Sequence, residues 1–201
     1  MKNRIIAITG QSGCGKSTLS DYYRSKSYSV VDCDEVVKLV HKDIECLSEL
    51  SRYFGEDIIF EGNLDKKLLS ARAFSSPENL QKLTDITHPY IIKEILRQVN
   101  GCFEKGEKIV FVDGAVIIGF MFEKYCDEFI VVVASQDKQI ERLTARDKIT
   151  PRQAKQRIDG QVSYPKMMKK ADYIINNNTD ITSLIVQGEY ILQQILKKGE
   201  S

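Results

Sequence analysis

The chain has 201 residues and almost no net charge, with 29 Lys and Arg against 28 Asp and Glu and a balance of +1. So even a balance excludes a global field for nucleic acid or for a membrane surface. There is no run of about 18 apolar residues, so no segment reads as a membrane span. The opening "MKNR" precedes only a short apolar run, too short for a signal-peptide core. Cysteine is sparse. Cys14, Cys33, Cys46, Cys102 and Cys126 are odd in number, scattered, and without a C-x-x-C pair. That usage argues against a disulfide framework and reads as unbridged thiols in a reducing compartment. No repeat and no low-complexity linker interrupts the chain. The expectation is a cytoplasmic protein, a monomer or weak oligomer, with one good core and appended elements.

What is present starts with "TGQSGCGKST" at 9–18, after the apolar "RIIAI". A stretch this rich in glycine and hydroxyls cannot pack a core. Gly10, four residues, then Gly15-Lys16-Ser17 is the spacing of a phosphate-binding loop. Glycines let backbone approach a ligand, and successive amides can cradle an anion. The cradle is expected from Gly13, Cys14, Gly15, Lys16, Ser17 and Thr18. Lys16 can reach β- and γ-phosphate oxygens, Ser17 can ligate Mg²⁺, and the following helix aims its positive end at the same phosphates. The same field could depress the Cys14 thiol and make it reactive, with bound ATP as its shield; the preferred reading is a small loop residue of no consequence.

Four further apolar runs, at 27–31, 108–113, 128–134 and 172–176, join 4–9 as candidate strands. Such uniform apolarity suits a parallel sheet covered on both faces, and helical stretches between the runs give βαβ alternation. The core is therefore assigned to 1–34, 108–141 and 172–201. Residues 35–107 carry almost no strand signal beyond "DIIF" and read as amphipathic helices at 43–54, 65–74, 77–87 and 89–104. This is a helical insertion suited to binding an acceptor. Pro89 would open the last of these helices, with His88 as the cap before it. The Arg- and Lys-rich segment 142–171 is expected to be a mobile helical lid.

Several side chains have candidate chemistry. Asp32 and Asp34, in "VVDCDE", share one face of an extended segment at a strand end, where ligands of open α/β sheets sit. Two carboxylates there could serve a Mg²⁺ shell and a general base, with Asp34 preferred as the base; the alternative is a capped helix start. Asp113 ends another strand and is a second candidate for the Mg²⁺ shell, or else a turn residue before Gly114. Arg142 and Arg146, four apart on a helix, could clamp the transferring phosphate. His88 at a helix start suits an anionic ligand. His41 reads as surface. "NNTD" at 177–180 lacks the lysine of an N-K-x-D base-specificity motif and reads as a turn within reach of a nucleotide base.

These residues together resemble the dephospho-CoA kinase family from about residue 4 to 195. "TGQSGCGKST" is similar to its T-G-x-x-G-x-G-K-S-T, and "VVDCDE" to its strand-end D-x-D. "FGEDIIFEGNLDKKLL" resembles F-G…G-x-L-x-R-x-x-L, and "LTDITHPYI" the stretch ending in H-P. "ADYIINNNT" resembles the closing A-D-x-V-I-x-N. There are departures: Lys66 and Ser70 stand where the family favours Arg, with Arg72 off register, and Ala115 and Gly119 replace a Pro and a Glu.

The resemblance implies a P-loop NTPase fold, a five-stranded parallel sheet flanked by helices, with a helical acceptor-binding insertion and a helical lid. It implies transfer of the ATP γ-phosphate to the ribose 3′-hydroxyl of dephospho-CoA, with ATP and Mg²⁺ required. Asp34 would be the base, with His88, Lys66 and Arg72 at the acceptor. Two alternatives stand beside it: another nucleotide or small-molecule kinase on the same core, separable by an acceptor panel, and a nucleotide-dependent switch, which should turn over ATP without an acceptor.

Overall fold

The computed structural model describes residues 2–115, 117–119 and 122–200. Val116, in the stretch after the third core strand where the sequence departs from the family pattern, lies outside them. The chain divides into two compact units, Met1–Asp32 with Val99–Ser201, and Cys33–Gln98.

The first unit is built on a five-stranded sheet of β1 (Arg4–Thr9), β2 (Val30–Asp32), β5 (Ile109–Asp113), β6 (Glu128–Val133) and β7 (Tyr173–Asn176), in the order β2-β5-β1-β6-β7. Each neighbouring pair is parallel. β1 and β5 are buried nearly throughout, as parallel strands covered on both faces must be. Beyond β1 the chain leaves towards β2, and beyond β5 it leaves towards β6 on the other side. A crevice opens at such a reversal, at the carboxyl ends of the strands. The register places Ile8 beside Asp113 and Asp113 beside Asp32, so Asp32 and Asp113 share that edge with the loop after β1.

Helices α1 (Lys16–Ser25) and α9 (Ile181–Glu200) pack with this sheet. Leu19 and Tyr23 of α1 and Leu184, Leu192 and Ile195 of α9 join Ile6, Ile8, Phe111, Ile130, Val132 and Ile175 in one buried cluster. Tyr23 stacks on Phe111 at 4.3 Å between ring centres. The segment after β6 forms α6 (Gln136–Asp147), α7 (Pro151–Asp159) and α8 (Tyr164–Met168). α7 starts with a capping box, Thr150 bonded to the Gln153 amide and Gln153 back to the Thr150 amide.

The second unit holds α2 (Cys33–Val40), α3 (Ile44–Phe54), a small hairpin of β3 (Ile59–Phe60) and β4 (Asn63–Leu64), α4 (Lys66–Ala73) and α5 (Pro77–Glu104) up to Gln98. Two sequence expectations change here. "DIIF" divides, with Glu56–Ile58 a 3₁₀ turn and only Ile59–Phe60 a strand. The two helices expected on either side of Pro89 are one helix of 28 residues with Pro89 inside it. An interior proline costs roughly 3 kcal/mol. Ile86, Ile92 and Ile95 on the same helix are buried, and at roughly 1.5–3 kcal/mol each their burial outweighs that cost.

Candidate active site

The loop from Gly10 to Gly15 leads from β1 into α1, and two of its glycines have a stated necessity. Gly10 has φ of 149°, and a Cβ there would lie 2.3 Å from the Val132 carbonyl oxygen. Gly15 has φ of 105°, and a Cβ there would lie 2.2 Å from Nδ2 of Asn177. Gly15 is the residue before α1 and supplies no side-chain cap, and the first turn of α1 carries no acidic residue. The amides of that turn have no partner inside the helix and suit an anion. Lys16 folds back over the loop, its Nζ 2.8 Å from the Gly10 carbonyl oxygen and 3.4 Å from that of Gln11.

Around this cradle the carboxyl edge of the sheet brings polar groups. Asp113 is buried and accepts a hydrogen bond of 2.7 Å from the hydroxyl of Ser20, three residues beyond Ser17 on α1. Asp32 is its half-buried neighbour in the sheet. The segment after α7 also reaches the loop: the Ser12 amide donates to Oε1 of Gln161 at 2.7 Å, and Nε2 of Gln11 donates to the Val162 carbonyl at 3.2 Å.

Cys14 lies in the core. Its side chain is fully buried among Ile6, Ile8, Leu19 and Val132, and burial pushes the thiol pKa up despite the lowering influence of Lys16. Its amide closes a turn onto the Gln11 carbonyl at 3.2 Å. The sequence shows the cradle and not the packing beneath it, so it left an activated thiol open beside the preferred reading of a small loop residue, and burial removes the activated one.

The two arginines of α6 part company. Arg142 donates from Nη1 to the Gly13 carbonyl at 3.3 Å and from Nη2 to the Asn177 carbonyl at 3.0 Å. Arg146 pairs with Asp147 through Nε at 2.6 Å and Nη2 at 3.0 Å, and Arg157 reaches the same carboxylate at 2.8 Å.

In the second unit, Asp34 is exposed in the first turn of α2, two residues beyond the end of β2. His88 is buried within α5 and not at a helix start, so the helix-end argument for an anion lapses. Burial lowers its pKa against the pull of Asp85, which favours the neutral imidazole at neutral pH. Lys66 is exposed at the first turn of α4 and helps burial depress the pKa of His41. His41 is half-buried, with a buried Nδ1 lacking a hydrogen-bond partner, and not the surface residue expected. Arg72 forks onto Asp57, with Nη1 and Nη2 at 2.7 and 2.6 Å from its two oxygens, and donates to the Phe54 carbonyl.

A family model described as "Dephospho-CoA kinase" matches residues 4–183. The chain belongs to the dephospho-CoA kinase family. Among its relatives, the dephospho-CoA kinase of Listeria innocua is 34% identical over 180 residues, 89% of this chain and 90% of the relative. That of Fusobacterium nucleatum is 32% identical over 199 residues, covering 97% and 100%. A solved dephospho-CoA kinase from Campylobacter jejuni superposes with a TM-score of 0.64 at 26% identity, covering 96% and 97%. A Thermus thermophilus protein, TT1252, gives 0.83 at 25% identity over 98% of both chains. A shikimate kinase from Acinetobacter baumannii shares the fold alone, with a TM-score of 0.54 at 17% identity.

As a dephospho-CoA kinase family member, the chain has three polar residues around the loop that the sequence did not single out, Ser20, Gln139 and Gln161, and a fourth, Asn177, that it placed only in a turn within reach of a nucleotide base. Ser20 was readable, since a hydroxyl three residues beyond Ser17 falls on the same helix face. The others act through tertiary contacts that no local pattern encodes.

Proposed function

We propose that the chain transfers the γ-phosphoryl group of ATP to the ribose 3′-hydroxyl of dephospho-CoA, giving coenzyme A. The observation that carries this reading is the family match over 4–183, which includes both the phosphate loop and the helical second unit. A near-even charge balance accords with a small-molecule partner rather than nucleic acid or membrane. Cys14, Cys46, Cys102 and Cys126 are thiols, which accords with a reducing cytoplasm.

In this reading the amides of Gly13, Gly15, Lys16, Ser17 and Thr18 hold the phosphates. Lys16 leaves the Gly10 carbonyl to follow the transferring group. The donor set fits a Mg²⁺ that travels with the nucleotide: a hydroxyl, Ser17, in the first turn of α1 and two carboxylates, Asp32 and Asp113, side by side at the sheet edge. Mg²⁺ characteristically keeps waters and phosphate oxygens and takes few protein ligands. Ser17 would ligate it directly, with Asp113, steadied by Ser20, and Asp32 acting through its waters. When bound, the ion neutralises charge on the phosphates.

Asp34 accepts the proton of the attacking hydroxyl. Arg146, released from Asp147, meets charge developing on the phosphoryl group, and Arg142 supports the loop from behind. Lys66 supplies a point charge for the acceptor pyrophosphate, and His88 contributes a neutral imidazole to the acceptor side. The lid at 142–171 excludes water as a competing acceptor.

The product tests this assignment. With ATP, Mg²⁺ and dephospho-CoA, the expected product is heavier by one phosphoryl group, with its phosphorus coupled to the ribose H3′ in NMR spectra. Phosphorylation at another position, or none, overturns the reading.

A further inference from the structure

The phosphate loop is held from outside by side chains that donate to its carbonyls. Three successive loop carbonyls each meet a protein donor. Nε2 of Gln139 donates to Ser12 O at 2.8 Å, Nη1 of Arg142 to Gly13 O at 3.3 Å, and Nδ2 of Asn177 to Cys14 O at 2.8 Å. The peptide bonds are trans, so in each peptide plane the N–H of the next residue points away from the carbonyl. Turning Ser12 O towards Gln139 aims the Gly13 amide the opposite way, and turning Cys14 O towards Asn177 does the same for the Gly15 amide. The Cys14 amide is already occupied within the loop, on the Gln11 carbonyl. Gly13 and Gly15 are therefore the amides that the outer contacts present to a ligand.

Asn177 is the centre of this arrangement. It follows β7 directly, and its own amide extends the ladder onto the Val133 carbonyl at 2.8 Å. Its side chain is buried, and its Oδ1 accepts from Nη2 of Arg142 at 3.4 Å while the carbonyl of Asn177 accepts from the same nitrogen at 3.0 Å. So Asn177 both clamps the loop and orients the arginine that clamps the preceding peptide. The absence of a Cβ at Gly15 is what admits it. Gln139, also buried, locks the other plane from α6.

We propose that Asn177, with Gln139, is a positioning residue of the nucleotide site, which fixes the peptide planes of the phosphate loop in the shape that receives phosphates before any nucleotide arrives. Without it the Gly15 amide is free to rotate, and binding must first order it. The proposal rests on the reading of this loop as the ATP site.

The test uses the full chain with Asn177→Ala and Gln139→Ala, with ADP affinity, both KM values and thiol labelling as readouts. Loss of one buried hydrogen bond corresponds to about a tenfold change in an equilibrium constant. Asn177→Ala is expected to raise the Kd for ADP and the KM for ATP about tenfold, and to leave the KM for dephospho-CoA within about twofold. Cys14, buried in the wild type, should react faster with a thiol reagent once its carbonyl is released, and saturating ADP should restore protection. Peptide mapping separates Cys14 from the other cysteines. Gln139→Ala should weaken ADP in the same direction. If Asn177→Ala does not fold, Asn177→Asp keeps the volume and the acceptor towards Arg142, removes the donor, and is expected to show the same pattern. A folded variant with unchanged ADP affinity and a protected Cys14 overturns the proposal, as does an equal loss for both substrates. Failure of the wild type to bind ADP at all instead overturns the nucleotide reading beneath it.

Discussion

Lys16 separates chemistry from folding most cleanly at the level of single residues. Among the described residues its ammonium hydrogen-bonds to loop carbonyls, at 2.8 and 3.4 Å, so Lys16→Ala should abolish phosphoryl transfer while the thermal midpoint stays within about 2 °C of wild type. A fall of many degrees would make Lys16 a structural residue. Asp34 is exposed and at the start of a helix, where an amide replacement is tolerated. Asp34→Asn is expected to lower kcat by about 10²- to 10⁴-fold, the worth of a positioned base, with ADP affinity retained. Undiminished turnover would remove Asp34 from the mechanism. Cys14 belongs to the core, and its raised thiol pKa predicts slow alkylation at pH 7 even without nucleotide.

Among the elements, α4 carries three cations, Lys66, Lys67 and Arg72, and the first and last have separable duties. Lys66 is exposed and Arg72 is forked onto Asp57 and the Phe54 carbonyl, tying α4 to the end of α3. Lys66→Ala should raise the KM for dephospho-CoA and leave the melting curve alone. Arg72→Ala should lower the melting temperature, with a smaller change in KM. The reverse pattern would return Arg72 to the pyrophosphate. β1, β5, β6, β7 and the phosphate loop were legible because each is written in a local code: uniform apolar runs for a buried parallel sheet, and fixed glycine spacing for the loop. Pro89 was misread because the local rule for proline is right about its cost and silent about the isoleucines that offset it. Cys14 stayed between two readings for the related reason that a loop composition does not disclose which side chain drops into the core. The turn holding Asn177 was legible, but the bonds that Asn177 and Gln139 make to the phosphate loop were not, because each reaches a loop more than a hundred residues away in sequence.

Over the whole molecule, the sheet keeps its two ends for different tasks. Gly10, Asp32 and Asp113 sit at the carboxyl ends of the strands. At the amino ends, Glu128 of β6 meets Arg4 of β1 at 2.8 Å, the hydroxyl of Tyr173 of β7 at 2.7 Å and Lys198 of α9 at 2.8 Å. Burial would raise the Glu128 pKa, but Lys198, Tyr173 and Arg4 together hold it below the ordinary carboxylate value. A carboxyl depressed in the folded state contributes stability above its unfolded pKa and loses it as pH falls through the folded one. Glu128→Gln should therefore lower the melting temperature at pH 7 and narrow the gap to wild type on acidification below about pH 4.5, with the KM values unchanged. A gap constant with pH would contradict the titration of Glu128.

The central claim, ATP-dependent phosphorylation of dephospho-CoA, is tested most directly by a coupled ADP-release assay with dephospho-CoA, with AMP, and with no acceptor. Rapid release with dephospho-CoA and near-silence in the other two is the predicted result. Release with AMP as efficient as with dephospho-CoA, or equal release without any acceptor, would contradict it.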